Sequence, residues 1–261
     1  MRLVLRQLLL SVAMLVGLFA IGAYSLQGRS VNAQETALAF DVASEAEVYA
    51  YVIYEDGTKE PVPATYDPYK SLKDMVAGEG VQGSESHPVP DVPVIVDGVF
   101  YEDPTVLNEL FIGKKLRYIA DEKAEKEGVI YVFSTVDGYF EYIKKYWGID
   151  PDKPGASDPQ EYDNRRESTV NPAAAVWSKY WWDCCYGGTR FEVLPGASVP
   201  TLYSSNNEIT SLQIGPDTAI SIMYDNTNYS GDSLTKYQNE SSWLLVFMND
   251  RIESIQTAAV P

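Results

Sequence analysis

YWWDCCYGG, residues 180–188, and MYDNTNYSG, residues 223–231, are two copies of one pattern at a constant offset of 43 positions. Trp181, Tyr186 and Gly188 stand in the first where Tyr224, Tyr229 and Gly231 stand in the second. The offset holds without a gap: NNEITSLQ, from Asn206, recurs as NDRIESIQ, from Asn249. Ser198, Leu202, Ile209, Ser211 and Gln213 likewise match Ser241, Leu245, Ile252, Ser254 and Gln256. A period of this length marks one copied supersecondary unit. The spacing aromatic, four residues, aromatic, one residue, glycine suits a folded hairpin. Its first aromatic covers the turn, and its glycine takes a backbone conformation that a Cβ would hinder. Ser211 and Ser254 each follow that glycine by 23 residues and can pin the hairpin backbone through their hydroxyls. TRFEVL and TSLQI in one copy, DSLTKY and ESIQT in the other, read as short strands. Four short strands per unit, used twice, predict an all-β Greek-key sandwich over residues 174–261, with motif 1 at about 174–214 and motif 2 at about 217–258.

This pattern resembles the βγ-crystallin Greek key, and the resemblance covers about a third of the chain. The departures are Trp181 in place of the usual Tyr or Phe, and two cysteines at the first hairpin tip. Microbial members often bind calcium through a segment N/D-N/D-x-x-S/T-S. Asn206, Asn207, Glu208, Ile209, Thr210 and Ser211 fit it at every position. The second copy, opened by Asn249 and Asp250, has Glu253 where the family places a hydroxyl. The resemblance implies two calcium ions between the motifs, each drawing on both. The fifth positions (Thr210, Glu253) would give side-chain oxygens and the second positions (Asn207, Asp250) backbone carbonyls. The residues after the first aromatic, Trp182 through its backbone and Asp225, would add further oxygens. Calcium takes six to eight oxygens in flexible geometry, so carbonyl, hydroxyl and carboxylate all serve. The bland alternative is that Asn and Asp merely shape a turn before a strand.

The rest of the chain is read from local patterns. Arg2 and Arg6 precede an apolar run from Leu8 to Tyr24, and Val31-Asn32-Ala33 resembles a cleavage site, so residues 1–33 read as a secretory signal peptide. The rival is an uncleaved anchor, because the run approaches the roughly 18–20 residues that span a bilayer. Residues 34–148 read as a small α+β domain of unknown function. Glu47–Tyr54 alternates as a strand, and Val94–Val96 and Val99–Tyr101 flank the hairpin turn Asp97-Gly98. Leu116–Ala120 and Val129–Ser134 are further strands around the charged connection DEKAEKEG. Tyr139, Phe140, Ile143 and Tyr146 recur at helical spacing up to Gly148. The Pro-, Gly- and Ser-rich residues 61–93 read as a long loop, with one helical turn near Ser71–Val76. Residues 149–173, rich in Pro and Asp, read as a linker.

Composition excludes several classes. The formal net charge is −17, and loss of Arg2, Arg6 and Arg29 with residues 1–33, which hold no acid, takes it to −20. That excess argues against a nucleic-acid partner. After cleavage no remaining stretch is apolar enough for a membrane span. Cys184 and Cys185 are the only cysteines, so there is no framework of distant disulfides. His87 is the sole histidine, expected to be exposed in its loop, which leaves no zinc site or Ser-His-Asp triad. No catalytic residue is assigned. The expectation is a secreted, non-catalytic calcium-binding protein with a structural, stress or adhesion role. The alternative is a secreted protease inhibitor or antimicrobial protein on the same fold.

Overall fold

A computed structural model describes residues 48–80, 83–153, 176–242, 245 and 247–260. The expected signal peptide, residues 34–47 and most of the expected linker lie outside them. Ahead of the repeats the chain forms β1 (Ala50–Ile53), β2 (Lys59–Pro61), β3 (Thr65–Tyr66), α1 (Leu72–Ala77), β4 (Val94–Val96), β5 (Val99–Tyr101) and α2 (Val106–Leu110). Then follow β6 (Arg117–Ile119), α3 (Glu122–Glu127), β7 (Ile130–Phe133) and α4 (Val136–Trp147). The first repeat supplies β8 (Ser178–Trp181), β9 (Arg190–Val193), β10 (Ala197–Val199) and β11 (Ser211–Gln213). The second supplies β12 (Thr218–Asn226), β13 (Ser230–Tyr237), β14 (Ser241–Ser242) and β15 (Ser254–Ala259).

Local chemistry accounts for most boundaries. Asp97 and Gly98 both have positive φ (49° and 85°), as the two-residue hairpin between β4 and β5 requires. The Thr135 hydroxyl accepts from the Gly138 amide at the start of α4, and Gly148 ends that helix in the left-handed region. DEKAEKEG is not a plain connection but holds α3: Asp121 caps it by accepting from the Ala124 amide at 2.8 Å, and Gly128 closes it at φ 67°.

The two repeats exchange strands. β14 of the second pairs with β11 of the first (Leu212 opposite Ser242), and β10 of the first pairs with β15 of the second (Ser198 opposite Gln256). Each motif therefore completes the other's sheet, which is the Greek-key arrangement that the repeat predicts. The α+β domain expected over residues 34–148 is not confirmed, because its strands share the sheets of the repeats. β1 lies antiparallel to β9, β3 antiparallel to β10, and β6 parallel to β13. The sheet orders are β14-β11-β8-β9-β1-β2 and β3-β10-β15-β12-β13-β6-β7-β4-β5. An uncovered edge strand offers unpaired amides and carbonyls, and the N-terminal strands cover three such edges here.

Strand periodicity explains the core. Tyr118, Ile130, Val132, Met223 and Leu234 join Tyr180, Phe191 and Leu212 in one buried cluster that draws on both sheets. The alternate positions Ile119, Tyr131, Phe133, Ile220, Ile222, Tyr224 and Tyr237 form a second cluster with Met75 of α1, Ala124 of α3 and Tyr139 and Ile143 of α4. The central strands of the larger sheet, β15, β12, β13, β6 and β7, are thus buried on both faces, with helices over one of them, while the edge strand β5 is exposed. Trp147 stacks on Tyr237 with centroids 3.9 Å apart, while Tyr139 Oη and Thr235 Oγ1 lie 2.9 Å apart. Among the described residues no helix is long and apolar enough to cross a membrane.

Candidate metal centre

The hairpins of the two motifs repeat the same contacts. Trp181 meets Tyr186 edge-on at 5.2 Å, and Tyr224 meets Tyr229 at 5.8 Å. The Ser211 hydroxyl donates to the Asp183 carbonyl at 2.7 Å and accepts from the Tyr186 amide at 3.1 Å. The Ser254 hydroxyl does the same with the Asn226 carbonyl and the Tyr229 amide, at the same two distances. The trailing serines therefore pin the hairpins as their spacing predicts. Gly188 and Gly231 sit at φ 73° and 72°.

Pinning each hairpin sets the polar segment that precedes the serine beside it. The Thr210 amide donates to the Trp181 carbonyl at 2.9 Å, and the Glu253 amide to the Tyr224 carbonyl at 2.8 Å. Trp182 and Asp225 are the next residues along. The two segments also cross-link. Asn207 donates its amide to the Ile252 carbonyl, and Asp250 to that of Ile209. Asn207 and Asp250 both adopt left-handed backbone, φ 57° and 53°, which Asn and Asp tolerate better than most residues. Their side chains complete the exchange: Thr210 Oγ1 lies 3.4 Å from Asp250 Oδ1, and Asn207 Nδ2 donates to Glu253 Oε1 at 3.2 Å. Two polar sites result, each made by both motifs: Thr210 with Asp250 at one, and Asn207 with Glu253 at the other.

The opening asparagines behave differently. The Asn206 side-chain oxygen accepts from the Leu202 amide at 3.0 Å and so braces its own loop. Asn249 donates to Asp250 Oδ2 at 2.7 Å, while its Oδ1 is buried without a hydrogen-bond partner. An unsatisfied buried acceptor costs about 1–3 kcal/mol, which a cation or a water would offset. The Thr210 hydroxyl and the Asp250 carboxylate, with the orphaned oxygen of the adjoining Asn249, are donors of the kind that calcium takes. Among the described residues no three His, Cys, Asp or Glu side chains converge as a metal cluster. The Thr210 site contains only one such residue, Asp250.

The second site does not fit as well. Asp225 is buried, and its carboxylate is already engaged. Its Oδ1 accepts from the Asp232 amide at 2.7 Å, and Arg251 Nη2 lies 3.3 Å from its Oδ2. Burial, with the Asp232 carboxylate adding to it, raises the Asp225 pKa to about 6, although Arg251 pulls it down. Arg251 also donates to the Ser86 carbonyl at 3.2 Å. Its counterpart in the first copy is Glu208, which is exposed.

Behind Asp225 lies a group the sequence did not mark. His87 is 2% exposed, not an open loop residue. Its Nδ1 is 2.7 Å from Asp232 Oδ2 and its Nε2 is 2.8 Å from the Phe111 carbonyl oxygen. A carboxylate and a carbonyl oxygen both accept, so this setting favours the doubly protonated ring. Burial pulls its pKa down, but the hydrogen bond and charge of Asp232, with the Phe111 carbonyl, outweigh it, and the net shift is upward. The Asn108 side chain clasps the His87 backbone at both its amide and its carbonyl. His87 thereby joins residues 84–111 to the second motif.

No protein-family model matches the chain, and the comparison with curated proteins finds no match. Solved structures do resemble it. A βγ-crystallin domain from Clostridium beijerinckii is 25% identical, covering 31% of this chain and 97% of its own, with a TM-score of 0.28. The N-terminal domain of Protein S is 23% identical over 33% of this chain and 98% of its own, TM-score 0.29. A βγ-crystallin from Ciona intestinalis is 17% identical over 31% and 98%, TM-score 0.28. Strand exchange, paired hairpins and pinning serines are present in both copies. Over its C-terminal third, this chain is similar to βγ-crystallin domains.

Proposed function

We propose that the chain is an exported, non-catalytic calcium-binding protein in which one ion is held at the Thr210 site. The observation that carries this is the reciprocal cross-pairing of the two segments, which sets Thr210 beside Asp250 and Asn207 beside Glu253. Such a site draws on both motifs, so an ion there would tie them together and favour the native state. An ion that binds only the native state stabilises it by mass action, about 1.4 kcal/mol for each tenfold excess over its Kd. The surplus of acidic side chains would draw cations toward the surface, and added salt would weaken that pull.

Calorimetric titration of the chain from Gln34 onward tests this directly. A saturable heat is expected, together with a melting temperature that falls on adding a chelator. Thr210→Ala should weaken binding at least tenfold. Absence of both the heat and the chelator response would sink the proposal.

Stoichiometry tests the difference between the sites. Arg251 already places a positive charge on Asp225, so the chain should take up one ion, not two. Arg251→Ala removes that charge but also lets the Asp225 pKa rise further above about 6, so the count should move toward two only on the alkaline side. A count of two in the unmodified chain would show that the guanidinium does not obstruct the second site.

A further inference from the structure

The first hairpin tip carries a feature that calcium binding does not use. Cys184 and Cys185 are both exposed, and their sulfur atoms lie 2.9 Å apart. They are the only cysteines in the chain, so neither has another intrachain partner. Cys185 has φ 63° and ψ 27°, a left-handed conformation that disfavours residues other than Gly, Asn and Asp. The equivalent position in the second copy is Asn228, at φ 55°, a residue that suits this backbone. The two tips share a backbone course, yet the first places a thiol where the second has the residue the geometry favours. Packing does not account for it, because neither cysteine is buried.

The tip is also held at both ends. The Trp182 amide donates to the Thr189 carbonyl at 2.9 Å, and the Gly187 amide to the Cys184 carbonyl at 3.3 Å. Ser211 bonds to Asp183 on one side of the pair and to Tyr186 on the other. Bringing the sulfurs from 2.9 Å to the bonded separation of about 2.05 Å is a local movement at the surface and displaces no core side chain. Adjacent residues lie about 3.8 Å apart at Cα, short of the usual span of a bridged pair, so the closed form should be readily reduced.

We propose that Cys184 and Cys185 form a reversible two-electron redox site that closes to a vicinal disulfide on reaction with a hydroperoxide. One thiolate attacks the peroxide oxygen, giving a sulfenic acid and releasing an alcohol or water. The second sulfur then displaces water from that sulfenic acid. Two thiols are oxidised by two electrons, one peroxide bond is reduced, and both thiol protons end in the products. The site is independent of the calcium reading.

Treating the reduced full chain with a small excess of hydrogen peroxide tests the proposal. Both thiols should disappear together, with an intact mass lower by two hydrogens, a monomer on a non-reducing gel, and full recovery on adding a dithiol. Cys185→Asn, which restores the residue of the second copy, should instead leave a single sulfenic acid that dimedone traps. Products that keep one free thiol, carry sulfinic oxygens, or link two chains would overturn it.

Discussion

Replacing His87 with alanine is expected to cost about 3–5 kcal/mol, the range for breaking a buried ion pair from one side. The His87 and Asp232 side chains are both fully buried, and the substitution would leave Asp232 without its counter-charge. The remaining bond to Asp232, from the Leu116 amide to Oδ1 at 2.8 Å, does not replace a cation. The loss should also depend on pH. The folded pKa of His87 is raised above its ordinary 6.5, so its contribution is complete below that value. It is then lost as pH rises through the higher folded value. Asp225 acts in the same direction. Its pKa rises from 3.8 to about 6, so the folded state holds a proton that the unfolded chain has released, and this stabilisation fades as pH rises through about 6. Urea unfolding of both proteins across this range provides the measurement. The gap between them should be widest under mildly acidic conditions and should narrow on the alkaline side. Equal midpoints under acidic conditions would refute the imidazolium pair.

Gly231→Ala is expected to cost about 2–5 kcal/mol, and more than Gly188→Ala. Both glycines have left-handed backbone, so each substitution carries about 1–2 kcal/mol of conformational strain. The neighbours make the difference. A Cβ at Gly231 would overlap Asp225 Oδ1 and the Asn226 side chain, and Asp225 is held by the Asp232 amide and Arg251. Moving that buried carboxylate leaves polar groups unsatisfied. A Cβ at Gly188 would meet the Asp183 carboxylate, which is exposed and free to swing aside. Thermal unfolding of the two single variants should rank them in this order. Equal losses would mean that the shared backbone strain, not the Asp225 cluster, sets the cost.

How legible each element was depends on the range of the interactions that make it. The hairpin turn Asp97-Gly98, the helix ending at Gly148 and the serines that pin the repeat hairpins all rest on short-range rules of spacing and backbone preference. α3 went unseen because six charged or small residues carry no apolar stripe, and its Asp121 cap and Gly128 stop were the only signals. The candidate ligands could be named because the family resemblance implies them, yet which side chain meets which was decided by the crossing of the motifs. The contact of Arg251 with Asp225 was not legible, since the two are 26 positions apart and meet only through the fold.

By itself the sequence determined that two copies of one Greek-key unit exist, where their hairpins turn, and which oxygen-bearing residues occupy matching places. Those are properties of the local chain, repeated twice. Only the tertiary structure decided that strands β1 to β7 extend the sheets of the repeats, because edge pairing is a backbone interaction that any strand of suitable length can make. It also decided that Ile220, Ile222 and Tyr224 face helices while Met223 faces the opposite sheet. Period-two alternation separates the faces of a strand but does not say what covers each one. The burial of His87 follows from the same limit: a charge is sheltered only when a distant partner, here Asp232, is folded against it.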